Sequence, residues 1–461
     1  MPVRRLDGGG GLRFAHPPYG LRTNKKTETP SPMQSAERRA FAHRRGLIIV
    51  TTLATAYMAS HFFRASNVTI GLDLMHDLAI GPEALGALTG AFFFGFAAMQ
   101  IPCGFLFDRF GPRRTVAGML ILATIGGAVF TLAPSWPVLL TGRVLMGCGF
   151  GVMLIGSMVV ISRWFAPDRF STVTAFVMSI GLLGNLLATT PLAWAAQAVG
   201  WRSVFALAVL FTALAAIAVW LVVRDAPSGH PFLARTPEPP RQMLQGLLEV
   251  LRNPLLRPIL ALNFCNYACT FTVQGLWGGP FLREVHGLSA IAAGNVLLAA
   301  VIAYQFGMLA FGPLDRLLDT RKWIAAGGSL VIVALLATLA LASQPPLWLP
   351  VGAIVAIGFF SASSTMVMTH GRGTIPDRLI GRGIATINTC VMFGVACMQT
   401  LSGIIIGAFA RLPDGARSET AYRALFAVLT VVLITALAVY SRSRDVRPSD
   451  EMRGREQQRA A

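Results

Sequence analysis

The chain has 461 residues, of which 54% are hydrophobic and only 13% charged, with a mean hydropathy of +0.60. Soluble domains average about a quarter charged residues, so a soluble globular protein is excluded and a polytopic membrane protein is indicated. A net charge of +18 would suggest nucleic acid in a soluble chain, but here the basic residues gather in particular loops, which is a topology signal and excludes a nucleic-acid partner.

Residues 1–45 are rich in Gly, Pro and basic side chains and lack an apolar signal core, so they read as a disordered basic cytoplasmic tail. Met33 precedes "QSAERRAFAHRRG", a normal basic lead-in to a first span, and translation is expected to start there. An intact mass retaining residues 1–32 would end that idea. Windows of the ~20 apolar residues that span hydrocarbon begin near Gly46, Leu85, Thr115, Trp136, Val173 and Ser203. A second set begins near Pro258, Ala290, Trp323, Leu347, Gly383 and Ala421. The expected fold is an all-α polytopic membrane protein with twelve transmembrane helices, six in residues 46–223 and six in residues 258–441. A cytoplasmic linker at 224–257 joins them, Pro-rich at "RTPEPPR" and then amphipathic at "MLQGLLEVLRNP". Residues 442–461 form a second cytoplasmic tail.

The two halves look like repeats. Gly86–Arg114 can be laid on Gly294–Lys322, and each ends in an acidic-basic pair followed by further basic residues, "DRFGPRR" and "DRLLDTRK". Parallel repeats place a substrate site at their interface near the midplane. The tail, the loops at 108–114, 163–169, 315–322 and 372–382, the linker and the C-terminal segment are basic, whereas the loop at 73–83 has no Lys or Arg. Positive-inside then puts both termini in the cytoplasm. The six cysteines all lie in apolar runs without metal-ligand or loop-disulfide spacing, so no metal and no cofactor are expected and their role is packing.

Polar residues inside the spans are the functional candidates. An arginine at a bilayer centre costs roughly 2.5–3.5 kcal/mol on insertion scales, yet the first span carries Arg64. Tyr57, His61 and Arg64 stand at i, i+4 and i+7, one helical face. Snorkelling to the outer headgroups is the plain alternative for Arg64. In the seventh span Asn263, Asn266, Tyr267, Thr270, Gln274 and Trp277 form a polar-aromatic stripe, readable either as interhelical hydrogen bonding or as a cavity wall. Gly278, Gly279 and Pro280 follow as a break. Tyr304 in the eighth span and Asn388 in the eleventh are further candidates, and His370 reads as a solvated residue at a helix end. No Asp or Glu falls inside a proposed span. His61 is then the titrating group left in the cavity, although like charge from Arg64 opposes its protonation.

The loop "GFLFDRFGPRR" resembles the signature loop of the major facilitator superfamily, with Gly104, Asp108, Arg109, Gly111, Arg113 and Arg114 all matching. The second copy keeps Asp315, Arg316, Arg321 and Lys322 but has one residue inserted and no glycine. The resemblance implies that these loops gate the cytoplasmic side, with a weaker second latch. "GRVLMGCGFG" resembles the fourth-span pattern of an arginine and spaced glycines, and Arg143 in it either meets substrate or a proton, or snorkels outward. The fifth span has Gly181, Gly184 and Pro191 but not the pattern typical of drug antiporters. "YMASHFFRASN" resembles the first span of the organophosphate and anion-cation symporter groups, in which an arginine binds an anion. Phe271 stands where phosphate-ester antiporters carry a second arginine.

The implied function is secondary transport of a small anionic or zwitterionic metabolite (an organic acid, amino acid or peptide) by alternating access, with Arg64 as anion anchor. The expected setting is a bacterial inner membrane, and the expected state a monomer in the lipid bilayer. The rivals are a multidrug efflux pump and a non-transporting sensor on the same fold. No nucleophile motif, metal cluster or phosphate loop points to an enzyme.

Overall fold

The computed structural model describes residues 32–165, 167–227, 240–376, 379–410 and 417–449. The tail at 1–31, most of the Pro-rich linker and the last twelve residues lie outside them. Residues 43–461 form one compact unit. In chain order the helices are α1 (Pro32–Ala65), α2 (Asn67–Asp77), α3 (Pro82–Thr131), α4 (Trp136–Phe150), α5 (Met153–Trp164), α6 (Pro167–Leu187), α7 (Thr190–Val199), α8 (Trp201–Val222) and α9 (Pro240–Arg252). Then come α10 (Arg257–Thr272), α11 (Gly278–Glu284), α12 (Ala290–Phe311), α13 (Leu314–Leu317), α14 (Lys322–Leu341), α15 (Trp348–Ser361), α16 (Ser364–Gly373), α17 (Ile380–Gly407) and α18 (Glu419–Tyr440).

Nine described helices are long and apolar enough to cross a membrane, or ten if the bent pair α6–α7 is one span. The 50-residue α3 would be roughly 75 Å long at 1.5 Å per residue, far more than one bilayer. It is two helices, because Gly111 sits inside it at φ 76°, ψ 161°, a backbone state that side chains resist. Pro112 then opens the second helix, where its missing N–H costs nothing. The seventh apolar window is α10 and α11 joined by a π-helical stretch, Val273–Trp277, and falls outside the nine. On that reckoning each of the twelve windows has a helical counterpart.

Helices from the two ends of the sequence meet at the end of the bundle that carries Asp73 and Arg283. There α3 packs on α17 so closely that a Cβ at Gly86 would lie 2.7 Å from Gly403 Cα and 2.6 Å from the Gln399 carbonyl oxygen. A Cβ on Gly279, at the start of α11, would strike the Val68 carbonyl of α2. Gly294 of α12 faces Thr190 of α7, whose hydroxyl donates to Asn295 Oδ1 at 2.8 Å. The Arg283–Asp73 ion pair, 3.5 Å, spans the same junction.

At the opposite end each signature loop is tied down by an aspartate that follows a long helix. Asp225, just beyond α8, accepts the Arg113 backbone N–H at 2.7 Å, and its Oδ2 lies 2.6 Å from where a Cβ on Gly111 would stand. Asp445, beyond α18, accepts from Thr320 Oγ1 at 2.5 Å and from the Lys322 and Arg321 N–H groups at 3.0 and 3.2 Å. Both carboxylates therefore cap the N-terminus of the helix after the loop. Burial pushes the Asp445 carboxyl up, but the Thr320 hydroxyl and the two N–H groups outweigh it and hold it below the usual carboxylate range. In the second loop Asp315 also pairs with Arg321 at 3.5 Å, and Lys322 Nζ donates to the Ser441 and Ser443 carbonyls at 2.7 Å. His370 is not the solvated residue expected. It is fully buried, 2.7 Å from the Tyr440 hydroxyl and 2.8 Å from the Arg444 carbonyl.

Candidate functional site

Arg64 lies in the last turn of α1, and the chain runs on into α2 after one turn at Ser66. The side chain is buried, at 8% exposure, and its Nε has no hydrogen-bond partner.

The contacts around it come from two helices of the first half. Arg64 Nη2 lies 2.6 Å from His61 Nδ1 and 3.3 Å from Nε2. His61 Nδ1 is 3.3 Å from Asn185 Oδ1 on α6, and the Tyr57 ring stands edge-on to the imidazole at 4.6 Å. α6 can come this close because Gly181 meets the Tyr57 ring and Gly184 meets the Met58 carbonyl, where any Cβ would collide. In the second half Tyr304 is half-buried on α12. Tyr267 of α10 stacks on Phe271 at 5.6 Å, and Phe271 meets Phe93 of α3 edge-on at 5.2 Å.

The seventh-window stripe divides. Asn263 Nδ2 donates to the Ile387 carbonyl at 3.2 Å. Asn266 bonds Ser329 of α14, Thr270 bonds back to its own helix, and the Trp277 indole N–H donates to Ser402 of α17 at 2.7 Å. Gln274, half-buried, reaches Ser361 of α15 at 3.3 Å. Tyr267 of the stripe is held instead by the Phe271 ring. The π-helical stretch shifts the phase of the helix, so Gln274 and Trp277 address different neighbours. Asn388 is half-buried on α17.

Arg143 occupies a separate interior position. It is 1% exposed, Nη1 donates to the Phe63 carbonyl at 2.8 Å, and the guanidinium lies over the Phe130 ring at 4.6 Å. Snorkelling is excluded, and what Arg143 touches is the backbone one residue before Arg64. Among the gating residues, Gly104 is half-buried, Asp108, Arg109, Arg114 and Arg316 are exposed, and Asp315 and Arg321 are buried. The Arg113 guanidinium donates to the Trp220 carbonyl at 2.7 Å and lies over that indole at 4.7 Å.

Sequence reading missed Asn185, although Gly181 and Gly184 one turn before it were the signal of a close helix contact. It also missed Asp225 and Asp445, which stand at the ends of the sixth and twelfth windows. No group of three or more His, Cys, Asp or Glu able to hold a metal occurs among the described residues.

A multi-helix membrane transporter is what the bundle and its buried polar group define. Comparison with known proteins gives the family. The Major Facilitator Superfamily model matches residues 52–396 and 278–461, and the chain belongs to that superfamily. It is 23% identical to the probable galactarate/D-glucarate transporter GudP of Bacillus subtilis (strain 168), over 59% of this chain and 65% of the relative. It is 21% identical to a putative tartrate transporter of Agrobacterium vitis, over 84% and 89%. A shorter match, 27% over 43% of this chain and 38% of the relative, is to the multidrug transporter mfsC of Aspergillus fumigatus. The chain thus spans less than two thirds of the length of GudP and mfsC. In fold it is similar to a bacterial homologue of the human lysosomal transporter Spinster, crystallised inward-facing and occupied, with a TM-score of 0.69, 19% identity and coverage of 86% and 97%.

Proposed function

We propose that this transporter carries a small organic acid, held by its carboxylate on Arg64. The carrying observation is the Arg64 guanidinium itself, buried in the bundle with an unpartnered Nε and no carboxylate paired to it among the described residues. A buried cation without a counter-ion is costly, and an arriving carboxylate supplies one with a two-pronged geometry that a guanidinium matches. The tyrosine hydroxyls and Asn185 suit hydroxyl groups on the same ligand. Sugar-acid and tartrate names among the relatives agree with a hydroxy-carboxylate.

Alternating access is the mechanism this reading implies. The closed contacts among α2 with α11, α3 with α17 and α7 with α12 support a gate at that end, and the basic loops around Asp108 and Asp315 support a cytoplasmic opposite end. On this reading the closed end faces outward. A multidrug role fits less well, because a cationic drug is repelled by Arg64.

Uptake of radiolabelled D-glucarate, galactarate and tartrate into proteoliposomes tests the reading. Accumulation of at least one acid, abolished by Arg64→Gln, is expected. Transport of lipophilic cations instead, indifferent to that change, would sink it.

A further inference from the structure

We propose that His61 is the proton-binding site of this transporter, and that it takes up its proton when a substrate carboxylate draws the Arg64 guanidinium off the imidazole ring. This rests on the reading that an anion binds Arg64.

The geometry fixes the empty state. A guanidinium has five N–H donors and no lone pair, so whatever faces Arg64 Nη2 must accept. Nη2 is 2.6 Å from His61 Nδ1 and 3.3 Å from Nε2. Within 3.3 Å of both ring nitrogens, Nη2 lies off the in-plane lone pair of each and bears on the ring itself. A hydrogen on Nδ1 is donated to Asn185 Oδ1 at 3.3 Å. An imidazolium would put two positive charges in contact, so Arg64 opposes protonation of the ring by like charge.

A carboxylate changes this. It is a stronger acceptor than a neutral imidazole and takes guanidinium N–H groups in pairs. Once Arg64 turns to it, the positive charge against the ring is balanced and the imidazole can take a proton. A proton from solvent on the loading side then binds the free nitrogen, and the other N–H keeps Asn185 as its acceptor. On release the steps reverse: the carboxylate leaves, Arg64 returns to the ring, and the proton is expelled.

The surroundings leave no competing base. The groups in contact with His61 are Arg64 and Tyr57 on α1 and Asn185 on α6, and no carboxylate stands among them in the described residues. The charge count also favours the exchange. Empty, the site carries one positive charge, on Arg64; with one proton and a dicarboxylate it is neutral, so the proton keeps the loaded state from crossing the low-dielectric interior with a net negative charge.

The test uses purified full-length protein in phosphatidylcholine nanodiscs, at pH 7.5 in weak buffer with a pH-indicator dye. D-Glucarate, galactarate and tartrate are added, and binding is followed by thermal shift. These acids are fully ionised there, since carboxyl groups titrate near pH 3–4, so proton uptake reports the protein. The expected result is uptake of about one proton per bound acid, with affinity falling by up to about tenfold per pH unit on the alkaline side. In His61→Gln the proton uptake disappears and the affinity, whatever its level, no longer varies with pH between 6 and 8.5. Binding to wild type without proton uptake overturns the proposal and leaves the acid-transport reading standing; that arm needs no variant. Proton uptake retained in His61→Gln overturns it equally. Failure of all three acids to bind removes the acid reading and this proposal with it.

Discussion

α1 and α10 each carry polar side chains at helical spacing through the middle of the bundle, and they use them in opposite ways. On α1, Arg64 keeps an unpartnered Nε and shares His61 with Asn185. On α10, the Asn263 and Asn266 amide N–H groups and the Thr270 hydroxyl are engaged by the Ile387 carbonyl, Ser329 and their own backbone, and Asn266 Oδ1 is left without a partner. Lipid offers polar groups no partners, so a polar stripe must be satisfied by neighbouring helices or open on a cavity. The first outcome is adhesion, worth about 0.6 kcal/mol per bond on average. The second leaves binding capacity unspent, and that capacity marks a site.

The contrast makes quantitative predictions. Arg64→Gln has the largest expected effect, a loss of about 100-fold or more in acid affinity, equivalent to ~2.7 kcal/mol, read as a lost thermal shift with the unliganded melting point retained or raised. A rise is plausible because the variant removes an uncompensated buried charge. Tyr267→Phe and Tyr304→Phe should each weaken binding by about 5- to 10-fold, one hydrogen bond of ~1–1.5 kcal/mol, with little change in melting point. If Asn263→Ala did the same, the division of α10 into a cavity residue and adhesive residues would be wrong. It should instead destabilise the protein by about 1 kcal/mol and leave affinity within about twofold. Trp277→Phe keeps the ring packing and loses only the Ser402 bond, so a smaller drop, about 0.6 kcal/mol, is expected in denaturant or thermal unfolding.

The smallest effect lies outside both helices. Asp445 has a depressed carboxyl value, so its stabilisation is present above the unfolded carboxylate value of about 3.9 and is lost as pH falls through the folded one. The melting-point gap between wild type and Asp445→Asn should therefore be steady above pH 5 and close on acidification below about pH 4. A gap that instead widens in acid would show that Asp445 is not held by the Thr320 and backbone donors. Acid binding at neutral pH should not follow this variant, because Asp445 caps α14 far from Arg64.

The sequence by itself determined the helical class, the apolar windows, the signature loop and the shared face of Tyr57, His61 and Arg64. Those depend on transfer free energy and on a 3.6-residue period, both carried by local residue order. It also set a cavity, the favoured reading for Arg64, against a headgroup, and left the two level for Arg143, because the length of a helix beyond its apolar window is not written in that window. Tertiary structure buried both, setting Arg64 against His61 and closing Phe130 over Arg143. It alone chose Asn185 as the partner of His61, 124 residues away, and split the seventh stripe at a π-helical turn. It also set Asp225 and Asp445 on loops more than a hundred residues before them. Hydrogen bonds and charges are satisfied by whatever approaches within about 3 Å, and which residues approach is fixed by packing, at positions where tight contacts such as Gly184 on Met58 and Gly86 on Gly403 let two backbones meet.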